Sequence, residues 1–244
     1  MTQVTRAPVN GVPPSLPRTN TLLAGITAAK RSGLLKLLKP AALTSGDVLY
    51  EANTTIRHIY FPVDCLVSLL APLKGHLSLE VGVVGSEGMV GVPLALGVRT
   101  SLVHAIVQGS GNALRMGAQA FHDELPHQPG LRLQIDRYVH SLIAQLTQTA
   151  ACNAFHSVES RCARWLMVAR DRMQNDEIEL TQEVLAQLLG VRRVGVTVAA
   201  GNLQRSGAIA YARGRIVILD PQLLSEAACE CYGVVRDVYE YAAQ

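Results

Sequence analysis

The sequence contains no apolar run approaching 18 residues, so no segment is expected to span a membrane. Its first twenty residues hold Pro8, Pro13, Pro14 and Pro17 but no apolar core, which argues against a secretory signal and for a disordered arm over residues 1–20. Cysteine is scarce and odd in number: the five residues at 65, 152, 162, 229 and 231 do not suit a disulfide scaffold. Reduced thiols in a cytoplasmic setting are the simpler expectation. There is no Ser-His-Asp signature, no Walker loop and no dinucleotide fingerprint, and the seven histidines show no ligand spacing. No enzyme, cofactor or bound metal is therefore expected.

Charge is also sparse, at 17 % of residues against 49 % hydrophobic, and the net charge of +3 says little by itself. Its distribution says more. Between Leu185 and Leu219 there is no Asp or Glu, while Arg192, Arg193, Arg205, Arg213 and Arg215 all fall there. A locally one-signed surface is what a phosphate backbone selects.

Three textures follow one another along the 244 residues. A short helical stretch at 22–38 precedes short apolar runs at 56–61, 66–70, 79–84 and 102–107. Turn signals separate these runs: Ser45-Gly46-Asp47, Lys74-Gly75-His76, Gly85-Ser86-Glu87-Gly88 and Gly109-Ser110-Gly111. That pattern suggests an antiparallel β-barrel or sandwich. After Pro126 and Pro129, a long helix begins near Leu131. Ile135, Val139, Leu142, Leu146, Thr149 and Asn153 alternate steps of four and three, a heptad seam expected to pair two copies of the chain. A second helix over 157–173 carries Val158, Cys162, Trp165, Leu166 and Ala169 on one face.

The stretch from Thr181 to Gly207 reads as a helix-turn-helix. Thr181 suits the N-cap of its first helix. Ala186 is small where two helices must nearly touch, and Gly190, four residues on, suits a left-handed turn. Leu185, Leu189, Val191, Val196 and Ala199 supply the apolar positions. A second helix over 192–205 would then present Arg192, Arg193, Val194, Thr197 and Val198 to base edges. Arginine matches guanine, and Val or a Thr methyl matches the thymine methyl. Ile209–Tyr211 and Ile216–Leu219 read as strands joined by the basic turn Ala212-Arg213-Gly214-Arg215, which makes the motif winged. Thr181, Gln182, Arg205, Arg213 and Arg215 are the candidates for phosphate contact.

A barrel, a long helix and a winged helix-turn-helix in this order resemble the Crp/Fnr superfamily of transcription regulators, over about residues 22–220. The most specific stretches are Leu180-Thr181-Gln182-Glu183 through Gly190-Val191-Arg192-Arg193, and Ala154-Phe155-His156-Ser157-Val158-Glu159-Ser160-Arg161 at the join of dimer helix and DNA-binding part. The resemblance implies an α+β fold. Residues 21–128 would be a cyclic-nucleotide-binding-like effector barrel, 129–156 a dimerisation helix, and 157–244 a winged helix-turn-helix with a carboxy-terminal tail. It implies a homodimer, with a seam at Ile135, Val139, Leu142, Leu146 and Thr149, that binds an inverted-repeat operator in double-stranded DNA. RNA polymerase and a small anionic effector are the further partners it implies.

The family's phosphate cassette is Gly-Glu-x-Gly followed by Arg-Ser or Arg-Thr. Gly88-Met89-Val90-Gly91 and Arg99-Thr100 match it, making Gly88, Gly91, Arg99 and Thr100 the candidate effector pocket. Met89 replaces the glutamate that accepts the ribose hydroxyl, so cyclic AMP in the family's usual pose is not expected. A cyclic-nucleotide-dependent regulator remains an alternative. In the recognition helix Arg193 matches the family's first arginine, while Val194 and Val198 replace its Glu and later Arg, so the operator should differ from the family's best-known one. The arm carries no cysteine for an iron–sulfur cluster. Cys229 and Cys231 form a Cys-x-Cys pair, expected to be buried structural thiols. The other reading is a cysteine-based redox or metal sensor.

Overall fold

A computed structural model of the chain describes residues 19–26, 33–74 and 78–242. The arm up to residue 18, residues 27–32 of the expected first helix, and the Gly75-His76 turn lie outside the described residues. Asn20, expected at the end of a loose arm, is instead buried. Its side chain caps α1 (Thr21–Ala24) and donates to the carbonyls of Pro62 and Gly88.

Seven strands follow: β1 (Lys39–Leu43), β2 (Val48–Tyr50), β3 (His58–Pro62), β4 (Leu66–Ala71), β5 (Leu79–Val84), β6 (His104–Gly109) and β7 (Gly111–Gly117). They form two antiparallel sheets, ordered β1-β7-β3 and β2-β6-β4-β5. Gly109-Ser110-Gly111 is where the chain leaves one sheet for the other. Ile59 and Phe61 from the first sheet and Val67, Leu69, Ala105 and Val107 from the second fill one core between them. Two short helices belong to this half, α2 (Val92–Ala95) and α3 (Ala118–Glu124).

Helix α4 runs from Pro129 to Phe155, with proline at its first turn, where no helical N–H is needed. Ser157 takes extended geometry and caps α5 (Val158–Met173), accepting from the Ser160 amide. A three-residue strand β8 (Glu177–Glu179), α6 (Gln182–Leu189), α7 (Arg193–Arg205), β9 (Ile209–Ala212), β10 (Arg215–Ile218), α8 (Pro221–Ala227) and α9 (Cys231–Ala242) complete the chain. Helix α9 folds back onto α4: the Ser141 hydroxyl donates to the Val238 carbonyl, and Tyr239 donates to Gln145. Among the described residues, no single helix is long and apolar enough to cross a membrane.

A buried polar network joins the two halves. Trp165 Nε1 donates to Glu80 Oε1 at 2.8 Å, and Ser68 donates to the other carboxylate oxygen. Arg172 donates to the Val83 carbonyl and to Gln145, pairs with Glu87 at 3.2 Å, and lies 4.9 Å from the Tyr239 ring centroid. Burial pushes the Glu80 carboxyl up to about 7, although Ser68, Trp165, Arg164 and Arg172 pull the other way. The folded state thus holds this proton more tightly than the unfolded chain does. The resulting stability is full below the unfolded value near 4.5 and is lost as pH climbs through about 7. Its ceiling is on the order of 3 kcal/mol. Glu80→Gln, permanently neutral, should flatten this part of the stability–pH curve. Urea melts of both proteins from acid to neutral pH measure it, and identical curves would disprove the assignment.

Candidate nucleic-acid interface

The local geometry of α6 and α7 follows from three residues. The Thr181 side chain accepts from the Val184 amide at 3.3 Å and starts α6. Gly190 ends it at φ 62, a left-handed conformation that strains any other side chain, and a Cβ there would also make the Leu79 side chain of β5 shift. Ala186 is buried, and its carbonyl accepts from the Val191 amide as the chain turns. The axes of α6 and α7 meet at 107°, the angle of a helix-turn-helix. Leu185, Leu189, Val196, Ala199 and Leu203 pack with Trp165 and Leu166 of α5 in a second core.

The outward face of α7 is what this packing leaves over. Arg192 is the N-cap residue, so α7 begins one residue later than expected. Arg192, Arg193, Val194, Thr197, Val198 and Arg205 are all exposed. Val194 and Val198, 67 % and 59 % exposed, have no core of their own to join. Thr197 donates to Gln182 Oε1 at 2.8 Å, tying the outward faces of the two helices together. Behind them β9 and β10 form a hairpin whose two turn residues, Arg213 and Gly214, both have positive φ, the turn that matches strand twist. Tyr211 braces this wing by donating to the Leu180 carbonyl at 2.9 Å.

A family model, the Crp-like helix-turn-helix domain, matches residues 160–227. Residues 160–227 thus belong to the Crp-like helix-turn-helix domains. Solved structures agree on the fold. FixK2 from Bradyrhizobium japonicum superposes with a TM-score of 0.66 at 11 % identity, over 79 % of this chain and 98 % of that one. A Crp/Fnr-family transcriptional regulator from Eubacterium rectale gives 0.64 at 14 % identity, over 84 % and 96 %. The c-di-GMP-responsive global regulator CLP of Xanthomonas campestris gives 0.61 at 16 % identity, over 80 % and 100 %. No curated protein sequence matches the chain.

Within this domain the charge picture is less one-signed than the sequence suggests. Strand β8, which no sequence signal announced, pairs with β10 and brings Glu177 against Arg215 in an ion pair. Glu183 lies 3.7 Å from Arg193. Arg213 at the wing tip is exposed, and among the described residues no carboxylate forms an ion pair with it. The two wing arginines should therefore behave differently. Arg213→Ala is expected to reduce the slope of log affinity against log salt by about 0.9, one phosphate contact. Arg215→Ala should change it by clearly less, because Glu177 competes for the guanidinium. A salt titration of DNA binding by the two variants checks this, and equal slopes would show that the Glu177 pair opens on DNA.

Two expected sites are rearranged. The Gly88–Gly91 segment lies apart from the cavity that Arg99 lines. Gly88 is packed against the Tyr138 ring from α4, and Met89 is fully buried in the barrel core. Arg99 and Thr100 are exposed rather than inside the barrel. Arg99 instead lines a cavity of about 290 Å³ with Arg57, Gln119 and His122, to which neither Gly88 nor Gly91 contributes. The cassette matches in sequence but not in space, because Tyr138 fills the place beside Gly88.

The expected dimer seam is also placed differently. Ile135, Leu142 and Thr149 are buried, and Val139 and Leu146 pack partly buried against the barrel core of the same chain. Ile135, Val139, Leu142 and Leu146 thus serve the chain's own core. The exposed face of α4 runs one residue further along: Leu133, Asp136, His140, Ile143, Thr147, Ala150 and Ala154, followed by Phe155, which is 85 % exposed. Sequence reasoning also missed Glu80, Gln145 and Arg172, which lock the DNA-binding half onto the barrel. The available signal was three arginines, 161, 164 and 172, spaced along the otherwise apolar face of α5.

Proposed function

We propose that the chain is a Crp/Fnr-type transcription regulator that binds an inverted-repeat operator as a homodimer, each α7 entering the major groove. In this reading Arg192, Arg193, Val194, Thr197 and Val198 meet base edges, with Arg193 on guanine and the valines on thymine methyls. Thr181, Gln182, Arg205, Arg213 and Arg215 hold phosphates and fix register. The observation that carries the proposal is the exposed Arg-Val-x-x-Thr-Val stripe on a helix otherwise buried against α5 and α6. Exposed valines gain nothing in water, and the thymine methyl is the apolar feature a major groove offers.

The dimer contact we propose is the exposed face of α4. From Leu133 to Ala154 its steps of three and four keep a heptad, and Phe155 adds an exposed aromatic at its end. The barrel spans about 21–128, the joining helix 129–156 and the DNA-binding part 157–244. For the effector, the cavity between Arg57 and Arg99 suits a small anion, whereas Met89 and Tyr138 leave no place beside Gly88 for cyclic AMP in the family's usual pose.

The test is recovery of bound fragments from a random genomic pool by the purified full chain at physiological salt. Inverted repeats whose half-sites lie about one helical turn apart, roughly 34 Å, are the expected product. Fragments sharing no motif, or single half-sites bound as tightly as paired ones, would refute the proposal.

A further inference from the structure

The fold brings Cys152, His156, Cys229 and Cys231 to one place. One Sγ or imidazole nitrogen from each lies within 4.8 Å of all the others. Cys152 Sγ is 3.5 Å from Cys229 Sγ, and Cys231 Sγ is 3.4 Å from His156 Nδ1. A tetrahedral zinc ion with bonds of about 2.3 Å to sulfur and about 2.0 Å to nitrogen needs ligand atoms about 3.5–3.8 Å apart. The three thiols are buried and His156 is half-buried, so a metal here would be shut off from water.

Two further observations point to a ligand rather than to chance packing. The first is a surrounding shell of the kind that orients metal ligands. His156 Nε2 lies 3.1 Å from Glu230 Oε1, which leaves Nδ1 to face the thiols, and Gln148 Nε2 donates to Cys231 Sγ at 3.1 Å. The second is buried positive charge. Arg161 and Arg164 are buried, and each has an Nε without a hydrogen-bond partner. Arg164 interacts electrostatically with Cys152, and Arg161 with Cys152 and Cys229. Two buried cations beside neutral thiols are poorly compensated. Zinc held by three thiolates and a neutral imidazole carries one net negative charge, which both arginines would face.

We propose that Cys152, His156, Cys229 and Cys231 form a closed, four-ligand site for a thiophilic divalent metal, Zn²⁺ by geometry and donor set. Loading exchanges the three thiol protons for one dication. The site has no open coordination position, so its role is to hold elements together rather than to perform chemistry. Cys152 and His156 lie at the end of α4, and Cys229 and Cys231 at the start of α9. The metal therefore pins the carboxy-terminal helix to the joint between α4 and α5. Arg161 also donates to the Leu189 carbonyl at the end of α6, so the same joint reaches the helix-turn-helix.

The full chain, purified anaerobically, reduced and stripped with a chelator, should take up one Co²⁺ with the intense visible bands of tetrahedral thiolate coordination. Zn²⁺ should displace that Co²⁺ stoichiometrically and raise the melting temperature. Cys229→Ser and Cys231→Ser should each weaken uptake at least 100-fold, while Cys162→Ser, whose thiol lies in the other core, should leave it unchanged. Glu230→Gln, a surface change that should not disturb folding, is expected to weaken binding by about 10- to 100-fold. A pale octahedral Co²⁺ spectrum, equal loss in Cys162→Ser, or no Co²⁺ or Zn²⁺ uptake by the reduced chain would overturn the proposal. So would a Cys152–Cys229 disulfide as the only state isolated without metal. None of these readouts depends on DNA binding.

Discussion

Ile143→Asp is expected to yield a folded monomer, whereas Leu142→Asp is expected to unfold the protein. The two residues are neighbours on α4, but Ile143 is 58 % exposed and Leu142 only 7 %. A carboxylate at 142 would be placed in the barrel core without a partner, at a cost of roughly 3–5 kcal/mol. That is a large part of the 5–15 kcal/mol that typically separates folded from unfolded domains. A carboxylate at 143 would be solvated in the monomer and would oppose only its counterpart across the dimer axis. Splitting the dimer removes the gain from engaging two half-sites at once, so operator affinity should fall by about 10²–10⁴. Sedimentation and thermal melting read the two outcomes separately. A dimeric, operator-binding Ile143→Asp would move the contact elsewhere. A stable Leu142→Asp that loses its dimer would return the seam to the opposite face.

Arg193→Ala should weaken operator binding by about 1–3 kcal/mol and relax preference at one base pair in each half-site. Arg193 is exposed on the first turn of α7, and among the described residues its guanidinium pairs with the Glu183 carboxylate at 3.7 Å, itself exposed. So solvated a pair holds the guanidinium loosely and yields readily to guanine. Competition binding with single-base operator variants checks the prediction. If Arg193→Ala weakened all sequences alike, the residue would be a phosphate contact, and α7 would lie further from the bases than proposed.

The helix-turn-helix was legible from sequence because its constraints are local. A cap at Thr181, a small residue at Ala186 and a left-handed turn at Gly190 all fall within ten residues, and the angle between the helices follows from them. The strands were legible where β-branched runs met turn residues, but β8 was not. Three residues carry no periodicity, and β8 exists because β10 offers it an edge. The helix α4 was read correctly as an element, but its most apolar stripe packs on the core of its own chain. A heptad pattern marks the more apolar stripe of a helix, and here the barrel takes that stripe. The stripe one residue along, from Leu133 to Ala154, has the same stepping with His140, Thr147 and alanines, and looked less like an interface.

The effector cassette shows in sequence but not in space, whereas the cysteine cluster is complete only in space. Gly88–Gly91 and Arg99-Thr100 match a motif, but the side chain that fills the space beside Gly88 comes from Tyr138, fifty residues away. Cys152 and His156 sit one helical turn apart, a spacing that fits two ligands on one face. Their partners are more than seventy residues distant, so only the return of α9 onto α4 makes four ligands of them.

The most direct test of α7 as the reading element is methylation interference on a recovered operator, comparing the wild-type chain with Arg193→Ala. Methylation at guanine N7 blocks the major groove, and at adenine N3 the minor groove. Two clusters of guanine interference about one helical turn apart are expected with the wild type, and the guanine facing Arg193 should drop out of both with the variant. Interference confined to adenine N3, or a guanine pattern unchanged by Arg193→Ala, would contradict recognition through α7.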